Sequence, residues 1–82
     1  MSMVEEEMMM LNLTKLDEVQ VAEILEANGY NSDGILDAEY IKTNDRGDAV
    51  YKTLWHDEYT DEFGSSQIYF RYMVNGTIWA EF

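Results

Sequence analysis

Eighty-two residues, 46% hydrophobic and 13% aromatic, make one small domain whose core contributes only a few kcal/mol, roughly 3–5, and exclude a disordered chain, because that much apolar surface offsets the entropy lost on folding. The absence of cysteine excludes a disulfide scaffold, thiolate metal ligands and a thiol nucleophile, and points to a reducing cytoplasm. Seventeen Asp and Glu against five Lys and Arg give a net charge of −12, which repels nucleic acid and anionic membrane and attracts basic surfaces.

Residues 1–10 hold five of the six methionines around Glu5, Glu6 and Glu7, so residues 1–12 are expected to be a flexible acidic start and residues 13–82 the single domain. Acids stand where a secretory signal carries bases, and no apolar run approaches the length of a membrane span, so a soluble, cytoplasmic protein is expected. The charge is uneven: residues 1–41 carry ten acids and one base, residues 42–82 seven acids and four bases.

Thr14 followed by Asp17 fits a helix start, and Gly29 fits a stop, which predicts a helix over residues 15–28. At about 100° per residue, Leu13, Leu16, Val21, Ile24, Leu25 and Ala27 share one side, with Lys15, Glu23 and Glu26 opposite. Val19 lies near the acids and Asp17 and Gln20 interrupt the apolar arc, a pattern that suits a helix laid on a sheet better than a coiled coil.

ILDAEYIKT then alternates, with Leu36, Ala38 and Tyr40 on one face and Asp37 and Glu39 on the other; NDRGD marks a turn and AVYKTLWH reads as the returning strand. QIYFRYMV and TIWAEF make a second hairpin around Asn75-Gly76, a dipeptide that suits a two-residue type I′ turn. Such a turn would put Phe70, Tyr72, Val74 and Trp79 on one face and Tyr69, Met73, Ile78 and Phe82 on the other. One short helix covers only one of these faces. The expected fold is α+β, one N-terminal helix packed on a three- to four-stranded antiparallel meander.

No motif supplies chemistry. NSDGILDAEYI, residues 31–41, looks like the later part of an EF-hand loop, but with Gly34 as the loop glycine the essential first and last ligand positions fall on Gly29 and Tyr40, so a turn entering a strand is the stronger reading. WHDEYTDEFG, residues 55–64, sets His56 beside four carboxylates. One imidazole without cysteine does not make a zinc site, and an acid–base pair of carboxylates needs an apolar cleft that a chain this short has little material to build. His56 reads as a hydrogen-bonded residue at a strand end. Ser65 and Ser66 lack the second glycine of a nucleophile elbow, and the scattered glycines form no phosphate loop. A single arginine in YFRY does not supply the backbone attraction that nucleic acid requires, so Arg71 reads as a cross-strand partner of an acid or as part of a protein contact. No cofactor and no metal are expected.

The charge itself remains. Glu23 and Glu26 on the helix, Asp37 and Glu39 on a strand, and Asp57, Glu58, Asp61 and Glu62 in one loop form the candidate array of negative points, with Tyr59, Phe63 or Trp79 as aromatic anchors. Duplex DNA carries about one negative charge per 1.7 Å, so carboxylates at similar density compete for a basic groove. In size, acidity and fold class, over the whole chain, the protein is similar to small acidic inhibitors that phages direct against restriction or CRISPR nucleases, and to immunity proteins of nuclease toxins. That resemblance implies a non-catalytic inhibitor whose partner is a protein with a basic, nucleic-acid-binding surface, with no direct contact to nucleic acid or membrane. The bland alternative is acidity for solubility alone. The alternative function is an oligomerising or assembly subunit, a homodimer for example, that uses the uncovered face bearing Tyr69, Met73, Ile78 and Phe82.

Overall fold

In the computed structural model, which describes residues 11–82, helix α1 spans Glu18–Ala27. Asp17 is its N-cap: the Asp17 carboxylate accepts from the Gln20 N–H at 2.8 Å and the Gln20 side-chain oxygen accepts from the Asp17 N–H at 3.1 Å. Two orphan donors are thereby satisfied reciprocally. The expected start at residue 15 is corrected for an identifiable reason. The Tyr51 hydroxyl donates to the Leu13 carbonyl at 2.6 Å and accepts from the Leu16 N–H at 2.8 Å, pinning residues 13–16 outside the helix. Thr14 bonds instead to the Asn12 side chain. Leu16, Val21, Ile24 and Leu25 are buried, whereas Ala27, placed on the inner arc by periodicity, is exposed. Gly29, at φ +85°, ends the helix in the left-handed region, and the Asn28 side chain donates to the Ile24 and Ile78 carbonyls and accepts from the Ala80 N–H, fastening this end to the last strand.

Strands β1 (Ile35–Thr43), β2 (Ala49–Asp57), β3 (Glu62–Tyr72) and β4 (Ile78–Glu81) follow in chain order and pair antiparallel as β1-β2-β3-β4. The expected α+β architecture, helix first and meander after, is therefore present with four strands. In β1 the register shifts between Ile35 and Asp37 and again between Tyr40 and Lys42. These bulges turn Leu36 and Ile41 out to solvent and leave Ile35 against the core, so Leu36 does not share the inward face as simple alternation predicts.

The β3–β4 turn is three residues long, not two. The Met73 N–H donates to Thr77 O at 2.7 Å and the Gly76 N–H to Met73 O at 2.9 Å, so Val74, Asn75 and Gly76 form the loop. A type I′ turn needs positive φ at both central residues, yet of these only Gly76 (φ +88°) has it, which is the geometry of a type I turn closed by a glycine bulge. The same pattern closes β1–β2, where the Gly47 N–H reaches Asn44 O at 3.0 Å and Gly47 sits at φ +85°. A one-residue slip exchanges the faces of β4. Phe70 pairs with Ala80, Arg71 with Trp79 and Tyr72 with Ile78. Ile78 thus packs against the core, Phe82 stacks on Tyr30 at 4.9 Å, Trp79 turns to the open face, and Val74 stands fully exposed at the turn.

The core lies between α1 and the inner face of the sheet: Leu16, Val21, Ile24 and Leu25 against Ala49, Tyr51, Ile68, Phe70 and Ala80. Leu11 and Leu13 pack on its margin. The start read as flexible lies, for residues 1–10, outside the described residues. Tyr51 and Phe70 meet edge to face at 5.4 Å in the centre. The open face holds Tyr69, Arg71, Trp79 and Glu81 in place of the continuous apolar surface that the two-residue turn predicts.

Candidate functional site

Strand β3 begins at Glu62, five residues before the expected Gln67, so WHDEYTDEFG is the end of a long hairpin and not a loop between strands. Asp57 pairs with Glu62, and residues 58–61 make the turn. The Asp57 carboxylate accepts from the Tyr59 N–H at 2.9 Å and the Thr60 N–H at 3.4 Å, which fixes the first half of the turn as an Asx-type motif. Asp61 takes φ +54°, and its carboxylate lies 2.8 Å from His56 Nε2. Aspartate is one of the few side chains that tolerate this backbone region. The His56 ring stacks on Phe63 at 4.5 Å, so His56 is a bonded residue at a strand end.

Asp57 and Glu62 are directly opposed cross-strand partners, so two acidic residues leave the hairpin on the same face. Like charges in that relation destabilise a sheet. Nothing in the described residues neutralises them. The ion pairs found there are Arg46 with Asp48 (3.4 Å) and Arg71 with Asp48 (3.7 Å), and His56 is hydrogen-bonded to Asp61 (2.8 Å). Both arginines thus converge on one fully buried acid, which leaves Asp57, Glu58 and Glu62 without an ion-pair partner among the described residues. Arg71 also lies over the Trp79 ring at 4.4 Å, so its reading as the partner of an acid agrees with the structure.

The ten candidate residues do not form one surface. Asp57, Glu58, Tyr59, Asp61, Glu62 and Phe63 share the hairpin end, with Tyr59 wholly exposed and Phe63 largely so. Asp37 and Glu39 pair with Leu54 and Lys52 along β1. Glu23 and Glu26 lie on the solvent side of α1, where Glu26 accepts a hydrogen bond from the buried Ser32 hydroxyl at 2.7 Å.

A cleft of about 700 Å³ opens beside the hairpin end, with Thr53, Trp55 and Ser66 at its base and Asn31, Asp33, Asp57, Glu58, Tyr59 and Phe82 around it. Trp55 is opposite Gly64, and a Cβ built on Gly64 would lie 2.3, 2.6 and 2.8 Å from three atoms of the indole. The ring therefore rests flat on the glycine backbone, and its Nε1–H donates to Ser66 Oγ at 3.1 Å. Sequence reasoning missed this platform. The available signal was an aromatic and a glycine at the two ends of WHDEYTDEFG, nine positions apart, which a four-residue turn brings face to face.

Among the described residues, no group of three or more His, Cys, Asp and Glu side chains converges as metal ligands would, and no helix is long and apolar enough to cross a membrane. No protein-family model, curated protein or solved structure matches the chain.

Proposed function

We propose that this is a non-catalytic binding protein that sets its acidic hairpin end on the basic, nucleic-acid-binding surface of another protein, a nuclease or related enzyme, and so inhibits it by occupying the place of phosphates. The observation that carries this reading is the Asp57–Glu62 pair, two acids at directly opposed strand positions with no ion-pair partner among the described residues, while both arginines meet at Asp48. A pairing that costs stability and recruits no counter-charge suits a surface whose cation comes from a partner. Tyr59 in the turn and Phe63 on the opposite face of the same hairpin end are exposed aromatic area, which supplies short-range affinity where charge supplies steering. Of the four residues named for self-association, Ile78 and Phe82 lie on the helix side, which leaves that alternative with Tyr69 and Met73.

The test is affinity capture of the tagged protein from nuclease-treated bacterial lysate, washed at low and then high salt, beside a variant carrying Asp57→Asn, Glu58→Gln, Asp61→Asn and Glu62→Gln. A basic nucleic-acid-binding protein retained by the native chain, released by salt and lost with the variant supports the proposal. Retention of the same proteins by the variant overturns it.

A further inference from the structure

We propose that the cleft over Trp55 is a socket for one arginine side chain of the partner; this deepens the reading of a basic partner and rests on it. Gly64 sets the geometry of the cleft floor. Because that position has no side chain, the indole lies down on the strand, one face against the glycine backbone and the other toward the cleft. Its Nε1–H is already bonded to Ser66, so what the ring offers an incoming group is its π face. Phe82 adds aromatic wall, and Asp33, Asp57 and Glu58 bring acidic residues to the same cleft. An aromatic face beside carboxylates, in a partly water-excluded recess, is the chemistry that receives a cation.

The protein displays the filled version of this arrangement on its other face. Arg71 lies over Trp79 at 4.4 Å and reaches the Asp48 carboxylate at 3.7 Å: indole, guanidinium and acid in one group. At Trp55 the indole and the acids are repeated, and no lysine or arginine of the described residues lies over the ring; residues 1–10 contain neither type. Arginine is the occupant because a planar guanidinium stacks on the indole while its edge N–H groups remain free for carboxylates, which an ammonium does less well.

The experiment uses the full ¹⁵N-labelled chain and two blocked tripeptides, glycyl-arginyl-glycine amide and its citrulline counterpart, which keeps the shape of the arginine side chain and removes its charge. The arginine peptide should shift the Trp55 indole N–H and the Gly64 amide saturably, with a dissociation constant on the order of millimolar. The citrulline peptide should bind about tenfold more weakly, and the Trp79 indole should stay in place. Asp33→Asn with Glu58→Gln, both on exposed turns, should weaken the arginine response by about threefold or more while the spectrum otherwise stays native. No response at Trp55, or equal response to citrulline, overturns the socket. The outcomes separate from those of the capture experiment: salt-sensitive capture without a Trp55 response removes the socket and keeps the basic partner, whereas a Trp55 response without capture keeps the socket and removes that partner.

Discussion

The Trp55 indole rests on the backbone of Gly64 so closely that a single methyl group at that position would lie 2.3 Å from Cζ2. Gly64 is set by shape and not by backbone freedom, since it is not among the residues with positive φ. Gly64→Ala is therefore expected to push the indole into the cleft and to destabilise the protein by roughly 1–3 kcal/mol, as overpacking does. Urea unfolding followed by tryptophan emission checks both effects, and an unchanged midpoint would mean that the ring swings aside without cost.

Tyr51→Phe tests what fixes the helix start. The Tyr51 hydroxyl bonds both the Leu13 carbonyl and the Leu16 N–H, and its removal strands two backbone groups at the edge of the core. The expected loss is about 1–3 kcal/mol, with amide exchange in the first turn of α1 accelerating most. Tyr72→Phe, which removes a single bond to the Leu11 carbonyl, should cost less.

Alkaline stability follows from the same two hydroxyls. Burial pushes the Tyr51 pKa up, opposed by its bond from Leu16 and assisted by the nearby Tyr40; burial alone pushes Tyr72 up. The unfolded chain releases these protons near the usual value of about 10, while the folded protein holds them longer. Their contribution is thus complete below about pH 10 and is lost as the pH climbs from there through the raised folded pKa values. Thermal melts taken across this range should fall more steeply for the native protein than for the double variant Tyr51→Phe, Tyr72→Phe; equal slopes would contradict the assignment.

Glu62→Gln separates stability from binding. Relief of the like-charge pair with Asp57 should stabilise the fold by about 0.2–1 kcal/mol, and the same change should slow association with a basic partner. Urea unfolding and stopped-flow association at two salt concentrations measure the two halves. A variant that is more stable and binds as fast would show that the pair is not part of the contact.

The helix, the antiparallel meander and the turns at Gly29, Gly47 and Gly76 are legible in the sequence because each rests on local signals: helical spacing of apolar residues, strand-like runs, and glycine after asparagine or after the polar run Asn44-Asp45-Arg46. What escapes is whatever depends on a distant side chain. Thr14 and Asp17 are both good caps by composition, and Tyr51, more than thirty residues away, decides between them. Asn75-Gly76 serves two- and three-residue turns alike, so the dipeptide marks the hairpin but not its register, and the slip moves Trp79, Ile78 and Phe82 to faces opposite those predicted. The acids of the hairpin end were readable as residues, yet their pairing required that β3 extend back to Glu62 through glycine and two serines, a poor strand by propensity that pairing with β2 overrides.

The two bulges of β1 matter beyond the placement of Leu36 and Ile41. β1 is an outer strand, and its free edge is nine residues long, enough to template an incoming chain if its N–H and C=O groups ran in regular sequence. Interrupted twice, the edge offers no unbroken ladder, and Asp37 and Glu39 set charge along it. Two bulges and a charged edge disfavour backbone pairing with a second molecule along β1, a built-in guard against growth of this small sheet into fibrils.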